Sequence, residues 1–149
     1  MIQFQAVGTL QRSRYKEPEK WSGDESLQPQ KKMFRSPDVY GYVTSSFNPV
    51  KRLAVSLTGT YTGSMLMQHF AGYIPSDKEE KTPDFLDMSV KVAYDFPLFK
   101  SCTLQVNAGV QNVFDSSQSD FDKGGSRDAG YIYGPSLPRS VYVGCKIMY

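Results

Sequence analysis

Polar and apolar residues alternate with a period of two along most of this chain, and helical periodicity is scarce, so the pattern predicts strands. The first runs from about Ile2 to Arg14, with Ile2, Phe4, Ala6, Gly8 and Leu10 on one face and Gln3, Gln5, Val7, Thr9 and Gln11 on the other. A second spans Val39 to Phe47, where Tyr40, Tyr42, Thr44 and Ser46 oppose Val39, Val43 and Phe47, and its inside and outside are ambiguous. In a third, Leu53, Val55, Leu57, Gly59 and Tyr61 oppose Ala54, Ser56, Thr58, Thr60 and Thr62. The fourth, from Phe85 to Phe96, sets Leu86, Met88, Val90, Val92, Tyr94 and Phe96 against Asp87, Ser89, Lys91, Ala93 and Asp95. The fifth, Cys102 to Phe114, sets Leu104, Val106, Ala108 and Val110 against Thr103, Gln105, Asn107, Gly109 and Gln111. In the last, Val141, Val143, Cys145, Ile147 and Tyr149 oppose Tyr142, Gly144, Lys146 and Met148.

An antiparallel sheet with one apolar face fits either of two solvents. In a soluble sandwich or barrel the apolar face covers a core. In an outer-membrane barrel it faces lipid, and the polar face lines the lumen. Alternation reads the same inside out, so other features must choose. The links at Asn48–Arg52 and Pro97–Ser101 are short, whereas Tyr15–Ser36, Gly63–Asp84 and Asp115–Pro138 are long. Short and long links alternate strictly, which puts every long loop at one end, as in membrane barrels with short periplasmic turns and long outer loops. Loops of that length are unusual in a compact soluble domain.

The distribution of charge points the same way. Most charged residues fall in the three long loops, and the five clearly assigned apolar faces carry none. A cation at the lipid midplane costs about 2–4 kcal/mol, and a one-residue slip would place Lys91 there. Strand lengths suit a tilted membrane crossing. The aromatics near strand ends (Phe47, Tyr61, Phe96, Phe114, Tyr142 and Tyr149) suit interfacial girdles. The expectation is therefore an all-β, antiparallel transmembrane β-barrel segment. The competing reading is a water-soluble β-barrel or sandwich binding a small apolar ligand.

Composition narrows the field further. A chain of 149 residues suits one domain. A net charge of +2 gives no dense basic footprint, so no nucleic-acid partner is expected. One His and two Cys supply too few ligands for an ordinary zinc site, and no cofactor is expected. No apolar run is long enough for a membrane helix. The start, Met1-Ile-Gln-Phe-Gln, lacks the features of a signal peptide. Six strands are also fewer than the roughly eight of the smallest membrane barrels. An open edge in lipid leaves backbone groups unsatisfied. The chain thus reads as the C-terminal part of a larger barrel. Closure by several copies, giving a structural or adhesive barrel, is a weaker alternative.

Specific motifs add to the pattern. Gly109-Val-Gln-Asn112-Val-Phe114-Asp115 resembles the penultimate-strand motif of TonB-dependent outer-membrane receptors, and Pro138-Arg139-Ser140-Val-Tyr-Val-Gly144 resembles the opening of their last strand. The terminal aromatic Tyr149, where Phe is commonest, is similar to the signal read by the barrel assembly machinery. The match is best over residues 84–149. The resemblance implies the last six strands of a 22-stranded barrel, in the outer membrane of a Gram-negative type of cell, without plug or energy-coupling box. It implies energy-coupled uptake of a bulky scarce nutrient such as a ferric siderophore, haem, cobalamin or glycan. The implied partners are the rest of the barrel and plug, the TonB energy-transducing complex, the barrel assembly machinery and outer-membrane lipid.

No catalytic grouping stands out, and no enzymatic activity is expected. His69, the single histidine, is expected as an exposed loop imidazole, with haem ligation the sharper alternative. Asp115, Asp120, Asp122 and Asp128 could attract calcium, but their spacing does not fit the usual loop. Arg127, Asp128, Tyr131 and Tyr133 lie in a loop expected to overhang the ligand entrance, and Tyr and Arg are favoured at binding surfaces. Cys102 and Cys145 are expected as free thiols on the lipid face.

Overall fold

The computed structural model describes all of residues 1–149. It contains ten strands and no helix: β1 (Ile2–Leu10), β2 (Arg14–Glu19), β3 (Gln30–Lys32), β4 (Val39–Phe47), β5 (Leu53–Thr62), β6 (Leu66–His69), β7 (Lys78–Lys81), β8 (Phe85–Phe99), β9 (Cys102–Gln111) and β10 (Ser140–Met148). Six of them form one antiparallel sheet in the order β1-β4-β5-β8-β9-β10. The sheet is an open meander, with β1 and β10 at its edges. No helix is long and apolar enough to cross a membrane, which says nothing of crossing by strands.

Register settles the face that β4 leaves ambiguous. Ala6 pairs with Val43 and Ile2 with Phe47. Val43 pairs in turn with Gly59, and Phe47 with Val55. Val55 meets Val92, Val92 meets Ala108, and Ala108 meets Val143. All six apolar faces therefore fall on one side. No layer covers that side: Phe4 is 69 % exposed, Val141 75 % and Val143 76 %.

The opposite face is polar and partly hydrogen-bonded within itself. Gln105 Nε2 donates to Asp95 at 2.8 Å, and Gln5 Nε2 donates to the Tyr42 hydroxyl at 3.2 Å. Gly109 lies on this face opposite Tyr142, whose ring occupies the space that a Cβ at Gly109 would take. An aromatic folded over a glycine restores packing where the strand has no side chain.

Element boundaries depart from the alternation in four places. The first strand stops at Leu10 instead of Arg14, and a separate ribbon, β2 with β3, rises from Arg14. The second long loop likewise contains a ribbon, β6 with β7. These segments, Arg-Tyr-Lys-Glu-Pro-Glu and Lys-Glu-Glu-Lys, are too charged to show an apolar face, so their pairing is invisible in hydropathy. The fifth strand ends at Gln111 because Asn112 turns left-handed, with φ 47°. β8 runs on to Phe99 through Pro97, past the end of its pairing with β5 at Tyr94. Pro97 is paired only with Thr103 of β9, and on the β5 side no partner remains there to need the N–H that proline lacks.

Candidate functional site: a joined cap of three long loops

All three long loops leave the same end of the sheet, and they pack on one another there. The centre of the packing is Met67, Phe85, Tyr131 and Tyr133, with Met65 against it. Phe85 opens β8 on the polar face, opposite Thr62. The third loop folds back until Gly134, with φ 80°, rests on the Phe85 ring. A side chain at that glycine would be strained by its backbone and would collide with the ring.

Alternation inside β6 explains what lies beneath. Met67 and His69 point to the same side of the ribbon and are both buried. His69 is 5 % exposed, which corrects the expectation of a solvated imidazole. Its ring lies flat against Tyr131, with centroids 3.7 Å apart and planes 4° from parallel. Nε2 lies 3.0 Å from both carboxylate oxygens of Asp122.

Asp122 also accepts from the Asp128 N–H at 2.9 Å. Burial opposes its charge, but that N–H and His69 outweigh burial and hold the carboxyl below the usual aspartate range. Asp128 continues the chain of contacts by accepting from the N–H groups of Phe70 at 3.0 Å and Gly130 at 2.7 Å.

The tyrosines are anchored from the other side. Asp120 accepts from the hydroxyls of Tyr131, at 2.7 Å, and Tyr133. Burial opposes the Asp120 charge, and the two hydroxyls overcome it to lower the pKa. Burial, followed by the bond to Asp120, raises the Tyr133 hydroxyl to about 12 and raises Tyr131 as well. Buried Gln118 completes the arrangement. Its amide donates to the Tyr131 carbonyl at 3.2 Å and accepts from the Tyr133 N–H at 3.0 Å.

The first loop joins the second through aromatics and carboxylates. Trp21 sits edge-on to Phe34 and Phe70, at centroid distances of 5.5 and 5.6 Å. Its indole N–H donates to Glu79 at 3.0 Å, and Gln30 donates to the other oxygen of Glu79 at 2.8 Å. Asp77 accepts from the Ser22 hydroxyl and the Ala71 N–H, and these two bonds, in that order, depress its pKa. Arg35, with φ 56°, donates across to the Gly130 carbonyl of the third loop.

The residues singled out by sequence divide into three groups. Tyr131 and Tyr133 lie inside the cap, Asp128 is half-buried and bonded to the second loop, and Arg127 is exposed. Asn112, 1 % exposed, is the hinge between β9 and the third loop. Its amide donates to the carbonyls of Ser116 and Leu137, each at 2.9 Å, and accepts from the Ser116 N–H at 2.9 Å. Asp115, with φ 53°, accepts from the Arg139 N–H at 2.8 Å, which ties the entry of the loop to its exit beside Pro138. Phe114 and Tyr149 are exposed, with Tyr149 just past β10.

Asp115, Asp120, Asp122 and Asp128 have separate protein donors, and no three metal-ligating side chains converge. Cys145 pairs in register with Val106 and Cys102 with Phe99, so the two thiols lie far apart along β9. Trp21, Gln118 and the buried role of His69 are absent from the sequence reading. Single polar or aromatic residues in a charged loop carry no periodic signal.

A cavity of about 420 Å³ opens beside the His69–Asp122 pair, lined among others by Tyr73, Lys78, Glu80, Asp120 and Lys123. It mixes both signs of charge with aromatic rings, which suits a polar ligand of some size.

Comparison with known proteins places this architecture. No family model matches the chain, and no curated protein matches it. Among solved structures, the ferric-catecholate import receptor Fiu of Escherichia coli K12, in a closed form, matches with a TM-score of 0.63 at 20 % identity. The match covers 99 % of this chain and 18 % of the receptor chain. The chain is thus similar in fold to part of that receptor and spans less than a fifth of its length.

Proposed function

We propose that this chain is the C-terminal barrel segment of a TonB-dependent outer-membrane receptor. It supplies the last six strands of a 22-stranded wall and the outer loops above them. The whole receptor takes up a bulky scarce nutrient (a ferric siderophore, haem, cobalamin or a glycan) by energy coupling through its plug and the TonB complex, and catalyses no reaction. The barrel assembly machinery inserts it through the terminal strand. Arg127, Asp128, Tyr131 and Tyr133 serve ligand capture, Arg127 by direct contact and the buried pair by fixing the surface that the ligand meets.

The observation that carries this reading is the register. It aligns six apolar faces on one bare side while every long loop leaves one end. In water such a face invites aggregation, whereas in lipid it is the required surface. The similarity in fold to an import receptor adds support.

The test is to place single tryptophans at Val92 and Asn107 in the complete polypeptide, its own tryptophans including Trp21 replaced by Phe, and insert it into bilayers containing brominated lipid. Quenching at residue 92 and not at 107 is expected. The reverse pattern would mean that the valines are shielded inside, and the soluble-barrel reading would replace this one.

A further inference from the structure

Past the end of β1 the chain rises through Arg12, Arg14 and Lys16, which are exposed, while Gln11, Ser13 and Tyr15 between them are half-buried. The three cations follow directly on Leu10, the last apolar-face residue of β1, across the short stretch 11–13 that belongs to neither strand. Two backbone bonds, Gln11 N–H to the Asp38 carbonyl and Met33 N–H to the Ser13 carbonyl, hold the segment against the strand that returns into β4.

Lys32 stands opposite Arg14 across the ribbon. Like charges in that position destabilise a ladder. One carboxylate, Asp38, answers them: it pairs with Lys32 at 2.7 Å. Its pKa is lowered first by that bond, with further help from the charges of Arg12 and Arg14. Arg12, Arg14 and Lys16 form no ion pair of their own. The next acids in sequence, Glu17 and Glu19, lie farther toward the ribbon tip.

Below this patch the apolar face has a shallow hollow of about 290 Å³, floored by Gly8, Gly41 and Gly59 and walled by Val39, Tyr61 and Leu86. It exists because Gly8 pairs with Gly41, and Gly59 pairs with neighbouring Val43, so three side chains are missing together. At Gly41 a Cβ would strike the Val7 carbonyl, and glycine is required there. At Gly8 a Cβ would meet nothing within 4 Å, so backbone packing gives no reason for that gap. Gly8 and Arg12 are about 13 Å apart along an extended chain. That is on the order of the reach from a headgroup into the upper hydrocarbon layer.

We propose that Arg12, Arg14, Lys16 and the glycine-floored hollow form a binding site for one phosphorylated lipid of the surrounding leaflet, with its phosphate on the cations and an acyl chain in the hollow. The site rests on the reading of this sheet as a membrane wall.

The test uses the complete polypeptide in phosphatidylcholine nanodiscs doped with phosphatidic acid, with diacylglycerol as the phosphate-free control. Lipid retained through detergent exchange is counted by native mass spectrometry. Wild type should retain phosphatidic acid over diacylglycerol. The R12Q/R14Q/K16Q variant should retain at least roughly tenfold less, since each cation near an anionic surface contributes about fivefold. Gly8→Leu, which fills the hollow and leaves every charge, should also lose retention several-fold. Lys81→Gln, an exposed cation on the second loop, should not.

Equal retention by wild type and either site variant overturns the proposal, as does equal capture of glycerol phosphate, which has no chains. A wild-type chain that enters the nanodisc but does not discriminate between the lipids removes the lipid site alone. A chain that never enters removes the membrane wall as well.

Discussion

His69 and Asp122 lie on different loops, yet Nε2 of the first is 3.0 Å from both carboxylate oxygens of the second. The contact joins the β6 ribbon to the third long loop, and the same carboxylate binds the Asp128 N–H. The loop end of the sheet is therefore held by a small set of carboxylates in specific bonds, Asp120 and Asp122 foremost.

This makes acid the agent that should open the cap. The folded pKa values of Asp120 and Asp122 lie below the ordinary aspartate value of about 3.9. Their contribution is fully present above that value and is lost as pH falls through the folded pKa. Hydrogen exchange should show protected amides at Phe70, Asp128 and Tyr133 from neutral pH down to about pH 5. Protection should be lost below about pH 4 while the β5, β8 and β9 amides stay protected. Loss of both sets together would mean that the cap has no titration of its own.

Tyr133 couples burial to a hydroxyl bond, and the two can be separated. Tyr133→Phe removes the bond to Asp120 and should destabilise the cap by about 1 kcal/mol. Tyr133→Ala also empties the space against Phe85 and should cost about 3–5 kcal/mol. Limited proteolysis within residues 116–137 should therefore quicken slightly for the first variant and strongly for the second. Equal rates for both would place the stabilisation in the hydroxyl alone.

Asn112→Ala removes three hydrogen bonds at a buried position with φ 47°. Asparagine tolerates left-handed backbone better than alanine, and the abandoned Ser116 N–H and Leu137 carbonyl each lose a partner. A loss of about 2–4 kcal/mol is expected, read as earlier denaturant-driven release of the third loop. Asn112→Gly, which keeps the backbone freedom but not the bonds, should recover only part of it.

The two faces of the sheet should differ in their tolerance of charge. Val92→Arg projects toward the proposed lipid side and should lower bilayer-refolding stability by about 2–4 kcal/mol. Asn107→Arg, on the polar face opposite Gly144, should change it by well under that. Comparable losses at the two positions would contradict an asymmetric solvent.

Much of the sheet is legible in the hydropathy pattern, because a period-two alternation over nine or more residues leaves few other conformations. β4 and β5 begin and end where the alternation does. The β2–β3 ribbon and β7 are not legible because charged residues occupy both faces, and β6, Leu-Met-Gln-His, is too short at four residues to show a period. The candidate site was legible only in part. Tyr131 and Tyr133 stood out by composition, but that they are enclosed and not displayed depends on Asp120 and Gln118 meeting them across a folded loop.

The sequence by itself determined an antiparallel all-β chain with its long links at one end, since side-chain alternation and link length are local properties. Only the tertiary structure decided which side β4 presents, where β9 stops, and that His69 is buried against Tyr131 and Asp122. Those outcomes depend on strand register and on contacts between loops far apart in the chain, and no local pattern encodes the partner of a single side chain.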